Sequence, residues 1–354
     1  MNKHMKSFPF LTLTFQKIKW YSVDIEFLGL EERKGRKKMK KLIALILTLV
    51  MVLSMTACGG DDGKYTIGIC QLITHDALDA ATQGFMDAVI AELGEENVTF
   101  ELQNAAGDTN TCSTIMNTFV SDDVDLIMAN ATPALQAAAT ATADIPILGT
   151  SVTEYGVALN IENFGGTVGG NVSGTSDLAP LDKQAAMVKE WFPDAKNVGL
   201  LYCSAEANSQ YQVDVVKAEL EAMGYTCALY SFADTNDMAA VTEECAANSD
   251  VIYVPTDNAV ANGTGIVDGI CRPAGIPIIA GEAGICGGCG VATLSISYYD
   301  LGVATGKMAV KILKGEADIA QMPIEYAATS TPQYNAEICA ELGLTAPEGY
   351  TPLG

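Results

Sequence analysis

Histidine and tryptophan are nearly missing: this 354-residue chain holds two of each. Positive charge is scarce too, with 20 Lys and Arg against 43 Asp and Glu, a formal net charge of −23. Eleven of those basic residues lie between Met1 and Ala57 with four of the acidic ones, so the rest of the chain carries nine basic side chains against 39 acidic. A body of that charge repels phosphate backbones, which excludes nucleic acid as a partner. His75 is the one histidine beyond the first 57 residues, which leaves little for acid–base chemistry. No GxGxxG follows the first apolar run, and the chain has no P-loop, no GxSxG elbow and no metal-ligand spacing. Neither a metal nor a cofactor is expected. Charged residues make up only 18% and apolar ones 49%, enough for a sizeable core in a chain long enough for two domains.

What is there begins with RKKMKKLIALILTLVMVLSMTAC. Lys37, Lys38, Lys40 and Lys41 precede an apolar run from Leu42 to Met55, then small residues. This is the layout of a secretory signal, and the run is short for a membrane span; an uncleaved anchor helix is the alternative. Met39 opens a complete signal by itself, so translation is expected to start there, with residues 1–38 a mis-called start. The stretch from Ser54 to Cys58 resembles the bacterial lipobox. That implies a leader over 1–57, with Cys58 becoming the lipidated first residue, and a tether over 58–63.

The chain then writes one block twice: DLIMANATPAL at 125–135 and DVIYVPTDNAV at 250–260. Each is an Asp, an apolar strand and the start of a helix. TIGICQL (66–72) pairs likewise with VGLLYCS (198–204), and IPILGTS (145–151) with IPIIAGE (276–282). Each half therefore reads as strands alternating with helices, giving two doubly wound parallel sheets. Ligands of such sheets bind beyond the carboxyl ends of the strands, where helix N-termini point. The repeat makes Thr132 and Asp257 equivalent on facing walls, and likewise Ser151 and Glu282. Hydroxyls face carboxylates, an arrangement suited to a zwitterion, with its carboxylate on the Thr132/Ser151 wall and its ammonium on the Asp257/Glu282 wall. Read singly, Thr132-Pro133 and Asp257-Asn258 are also ordinary helix caps. Gln71 and His75 follow the first strand, and Asn208 and Ser209 open the helix opposite. An aromatic wall would come from Tyr155, Tyr202 or Tyr298. The cysteines lie mostly in strand-like runs and read as free thiols; Cys286 and Cys289, in GICGGCGV, read as a loop pair, disulfide-bonded or idle.

The lipobox, HDALDAATQGF, NAAGDT, ANATPALQAA, SGTSDL, SAEANS, VPTDNAV, AGEAG and SYYDLGVATGKMAVKILKGE together resemble the ABC-transporter solute-binding lipoproteins of the tryptophan/tyrosine type. The resemblance implies the type I periplasmic-binding-protein fold: α/β, with two Rossmann-like lobes closing about a three-segment hinge. Lobe 1 is expected over 64–174 plus 297–325, and lobe 2 over 175–296 plus 326–354. Ser176 and Asp177 would lie at the first hinge crossing, where such a pair can touch ligand; SD is also an ordinary turn. The implied protein is a monomer, lipid-anchored on the extracytoplasmic face, that captures an amino acid, aromatic by the resemblance, for ABC permease subunits. A sugar- or nucleoside-binding protein of the same fold, or an enzyme on it, are the alternatives.

Overall fold

The computed structural model describes Lys64 to Leu353; the leader, Cys58 and the tether lie outside the described residues. TIGICQ has no charge and ends up buried on both faces, as β1 (Tyr65–Gln71), an inner strand of the first sheet. It is followed by α1 (Asp76–Leu93), β2 (Val98–Asn104), α2 (Thr109–Ser121), β3 (Leu126–Asn130), α3 (Thr132–Ala141), β4 (Ile147–Val152), the short α4 (Tyr155–Ala158) and β5 (Val172–Ser176). The second half repeats the plan. It runs α5 (Leu181–Trp191), β6 (Asn197–Cys203), α6 (Ala207–Ala222), β7 (Thr226–Phe232), α7 (Thr235–Asn248) and β8 (Val251–Val254). Next come α8 (Asn258–Asn262), α9 (Thr264–Ala274), β9 (Ile278–Ala280), α10 (Ala283–Cys289) and β10 (Ala292–Ser295). The chain returns through α11 (Tyr298–Leu313) and β11 (Glu325–Tyr326), then ends with β12 (Thr331–Tyr334), α12 (Ala336–Glu341) and β13 (Thr351–Pro352).

The first sheet has the order β11-β5-β4-β3-β1-β2 and the second β13-β12-β10-β9-β8-β6-β7. Reading inward, both contain the same 2-1-3-4-5 doubly wound arrangement. Strand register repeats with it: Gly68 faces Ile127, which faces Ile147, and Gly199 faces Ile252, which faces Ile278. The offsets between the two halves are thus the ones the sequence blocks show. Among the described strands, only β12 runs antiparallel to its neighbour β10.

Both faces of each sheet are covered. In lobe 1, Ile67, Ile69 and Phe85 pack on one face, Cys70, Met116 and Phe119 on the other. Burying such a ring fully is worth roughly 1.5–3 kcal/mol. Two clusters flank the second sheet in the same way. Helices α1 and α11 lie backbone against backbone. A methyl added at Gly84 would fall on the Tyr299 carbonyl, and one at Gly302 on the Ala81 carbonyl. This pairing returns the chain to lobe 1 directly after β10.

Two local readings need correction. Residues 283–289 form a helix, α10, because Glu282 caps it from both carboxylate oxygens onto the Gly284 and Ile285 N–H groups. Cys286 and Cys289 are therefore buried helix residues and not a loop pair. Nine cysteines from Cys70 to Cys339 are free, and all but Cys227 are buried. Thr132 is also not a cap: Ala131 holds that position, with φ 95°, and Thr132 is the first helical residue. Among the described residues, no helix is long and apolar enough to cross a membrane.

Candidate functional site

The carboxyl ends of the two sheets face each other, and the side chains there meet. His75 Nε2 is 3.2 Å from Asn258 Oδ1, Asn262 Nδ2 donates to the Thr74 carbonyl at 2.9 Å, and the Thr153 and Thr256 hydroxyls are 3.5 Å apart. Behind these contacts lies a narrow, nearly closed cavity of about 10 Å³. It is lined by His75, Leu78, Ser151, Asp177, Asn208, Thr256, Asp257, Asn258, Ala261, Glu282 and Tyr298. A wider space of about 230 Å³ opens along the outer edge of the cleft, between Ile73, Ala106 and Pro133 on one side and Cys203, Ala205, Ala233 and Ala259 on the other.

What separates the two is hydrogen bonding. Ser151 Oγ, Asp177 Oδ1 and Asn208 Oδ1 on the narrow cavity are buried without partners, as is Thr132 Oγ1 at the start of α3. No residue of the wider space carries such an atom. Each unpaired buried group costs about 1–3 kcal/mol, so four of them together call for a partner from outside the chain. Strain gathers on the same wall. Ser151 has φ 53° beside a register shift in β4, and Ala131 has φ 95°. Non-glycine residues adopt such backbone only when their surroundings hold them there, commonly at ligand sites. The N-terminus of α3 has no side-chain cap, and the Pro133 that follows has no N–H to satisfy.

The opposite wall is acidic, and no Lys or Arg lines it. Asp257 accepts from Val260 N at 2.9 Å and from Cys203 N at 2.7 Å, capping α8. Glu206 accepts from the Asn258 and Ala259 N–H groups, on the same helix. Burial pushes the Glu206 carboxyl up to about 8, aided by the Asp257 charge, and Glu282 up to about 7. Asp257 and Asp177 are also raised by burial. Three of these four acids spend their charge on helix N-termini. Asp177 does not: it accepts one bond, from Tyr298 Oη at 2.9 Å, through Oδ2 alone. The Thr153 hydroxyl is near enough to help lower its pKa but lies outside hydrogen-bond geometry.

The sequence candidates therefore divide. Ser151, Asp177, Asn208, Asp257, Asn258, Glu282 and His75 share the cavity, and Thr132 stands at the start of α3 with its hydroxyl free. Pro133 lines the wider space. Gln71 is engaged inside lobe 1, donating to the Ile73 carbonyl and Asp79 and accepting from Thr82. Ser176 spends its hydroxyl on the Thr153 carbonyl. Ser209 is fully buried at the start of α6, outside both linings. Of the tyrosines, only Tyr298 lines the cavity; Tyr155 bonds the Thr175 carbonyl and Tyr202 bonds Gln210. Glu206 was missed as a site residue. Its signal was its place just ahead of the α6 run ANSQYQV.

A model of the ABC transporter substrate binding protein family matches residues 66–351. The chain belongs to that family. A tyrosine-binding protein of Clostridioides difficile is 35% identical to this substrate-binding protein over 308 residues, 81% of this chain and 88% of that one. An ABC domain from Streptococcus pneumoniae, solved in complex with L-Trp, is 34% identical with a TM-score of 0.78, covering 81% of this chain and 99% of that one. The ligand-free, open structure of a Clostridium difficile substrate-binding protein with adhesive properties is 37% identical, but its TM-score is 0.63, over 82% and 99%. At similar identity this chain superposes better on the L-Trp complex, in keeping with the contacts across its cleft. The fold is that of type I periplasmic binding proteins, two Rossmann-like α/β lobes.

Proposed function

We propose that this substrate-binding protein captures a zwitterionic aromatic amino acid between its lobes for the permease of an ABC importer. The ligand's carboxylate sits on the open N-terminus of α3 with the Thr132 and Ser151 hydroxyls, and its ammonium meets Asp177. The single observation behind this reading is that Asp177 keeps one buried carboxylate oxygen unpaired on the cavity. A carboxylate left in that state is costly unless a cation or strong donor arrives. Asp257, Glu282 and Glu206 shape the acidic wall and hold α8 and α10 in place, so the ammonium is assigned to Asp177 ahead of Asp257 and Glu282. Leu72, Ile73, Pro133 and Ala259 give the ligand's ring apolar room in the wider space. The tyrosine- and L-Trp-binding relatives support an aromatic side chain. The chain hangs from the extracytoplasmic face of the membrane by a lipid on Cys58, works as a monomer, and needs no cofactor.

Calorimetry with L-tyrosine, L-tryptophan, tyramine and 3-(4-hydroxyphenyl)propanoate tests the two-ended contact. Both amino acids should bind, while each one-ended analogue should lose about tenfold or more. Binding of glucose with no response to either amino acid would overturn the reading.

A further inference from the structure

One buried hydrogen bond ties together two of the connections between the lobes. Asp177 directly follows β5, the last strand before the chain leaves the first sheet for α5. Tyr298 opens α11, the first element after the chain leaves β10 of the second sheet. Tyr298 Oη donates to Asp177 Oδ2 at 2.9 Å across 121 positions of sequence. Both side chains line the narrow cavity, and the other Asp177 oxygen is the unpaired one. We infer that Tyr298 is a positioning residue: it grips Asp177 by one oxygen at the hinge, aims the other at the ligand's ammonium, and so couples capture of that charge to the hinge itself. This rests on the assignment of the ammonium to Asp177 made above.

The surroundings favour that role over simple packing. Tyr298 sits at the start of a helix whose Gly302 lies against the Ala81 backbone, so the hydroxyl is held by lobe 1 and cannot follow a wandering carboxylate. Burial and the nearby Asp177 and Glu282 charges push the Tyr298 phenol well above its ordinary pKa, so it stays protonated and remains a donor. Around Asp177 stand Tyr298 on α11, Glu282 at the head of α10, Tyr155 on α4, and His75 and Asp257 on the cavity wall. Of the groups that favour the ionised form against burial, the Tyr298 hydroxyl acts most strongly, ahead of the Thr153 hydroxyl and the Asp177 backbone. When an ammonium reaches the free oxygen, Asp177 becomes fully charged, and the Tyr298 bond strengthens as a charge-assisted one. The hinge is thereby tightened by the same charge that binds.

Tyr298→Phe keeps the ring and removes the hydroxyl. In the ligand-free protein, the Asp177 carboxyl followed by carbon-detected NMR should titrate at higher pH in this variant than in the parent. An unshifted titration overturns the inference whatever the ligand is. In calorimetry, Tyr298→Phe should weaken L-tyrosine by about tenfold and move its affinity profile to higher pH. It should leave 3-(4-hydroxyphenyl)propanoate, which has no ammonium, unchanged. Equal losses for both compounds would make Tyr298 a packing residue and overturn the proposal. In an Asp177→Asn background, Tyr298→Phe should have no further effect on L-tyrosine; an additive loss contradicts the coupling. If the parent binds no amino acid, the ligand reading fails, and the titration alone decides the role of Tyr298.

Discussion

His75 on lobe 1 reaches Asn258 on lobe 2, 183 positions away, and Asn258 in turn donates to Glu206 Oε2 at 2.6 Å. The cleft is thus bridged by a short polar chain, with a second link from Asn262 to the Thr74 carbonyl. Hydrogen bonds of this kind contribute about 0.5–1.5 kcal/mol each. A ligand that touches both walls adds its contacts to the closed form alone and shifts the population toward it. Asn258→Ala should release L-tyrosine about three- to tenfold faster, read by stopped-flow fluorescence, with the thermal midpoint little changed. An unchanged release rate would mean that the bridge does not hold the lobes together.

Thr132 offers a test in which stability and function part ways. Its buried hydroxyl is unpaired, and unpaired hydroxyls cost about 1–3 kcal/mol. Thr132→Val should therefore raise the stability of the ligand-free chain by about 1 kcal/mol while weakening amino acid binding. Denaturant titration and calorimetry on one preparation give both numbers. A loss of stability would show that the hydroxyl has a partner within the fold.

The acidic wall fixes a pH dependence. Burial raises Glu206 to about 8 and Glu282 to about 7 from an ordinary 4.5. Between those values the folded chain binds more protons than the unfolded chain. Their contribution to stability is full below about pH 4.5 and is lost as pH rises through about 7 to 8. The ligand-free thermal midpoint should fall between about pH 5.5 and 8.5. Affinity for an ammonium ligand should run the other way, because Asp177, raised by burial, must be ionised to receive it. Melting curves across that range check the stability slope, calorimetry with L-tyrosine from acid to neutral pH checks the affinity, and an affinity that does not rise with pH would contradict the assignment.

Gly302→Ala tests the return helix. The added methyl would fall on the Ala81 carbonyl, backbone that cannot step aside without parting α1 from α11. Overpacking of this kind costs about 1–3 kcal/mol. Because α11 carries Tyr298 at its head, amino acid affinity should fall with the thermal midpoint. Wild-type stability in this variant would mean that the helices separate freely.

Much of this architecture was legible in the sequence because it is written twice. The Ile127–Ile252 and Ile147–Ile278 equivalences survive in strand register, and strands buried on both faces leave uninterrupted apolar runs. Site assignments were harder, because a carboxylate ahead of a helix looks the same whether it serves a ligand or the helix. Asp257 and Glu282 turn out to be caps as well as cavity residues. Thr132 looked like a cap and is not one, since lobe 1 starts its helix one residue earlier in the repeat than lobe 2 does. Glycines hid α10: GICGGCG has poor helix propensity, and only the Glu282 bonds to the first turn reveal why it coils. The Tyr298–Asp177 bond joins residues 121 positions apart, a distance no local pattern reports.

The most direct test is a crystal structure of the mature chain with L-tyrosine. The ammonium should lie within hydrogen-bond distance of the Asp177 oxygen that Tyr298 does not hold, with the carboxylate against Thr132, Ser151 and the first turn of α3. An ammonium held by Asp257 and Glu282 with Asp177 left unpaired, or an amino acid bound in the reverse sense, would contradict this account.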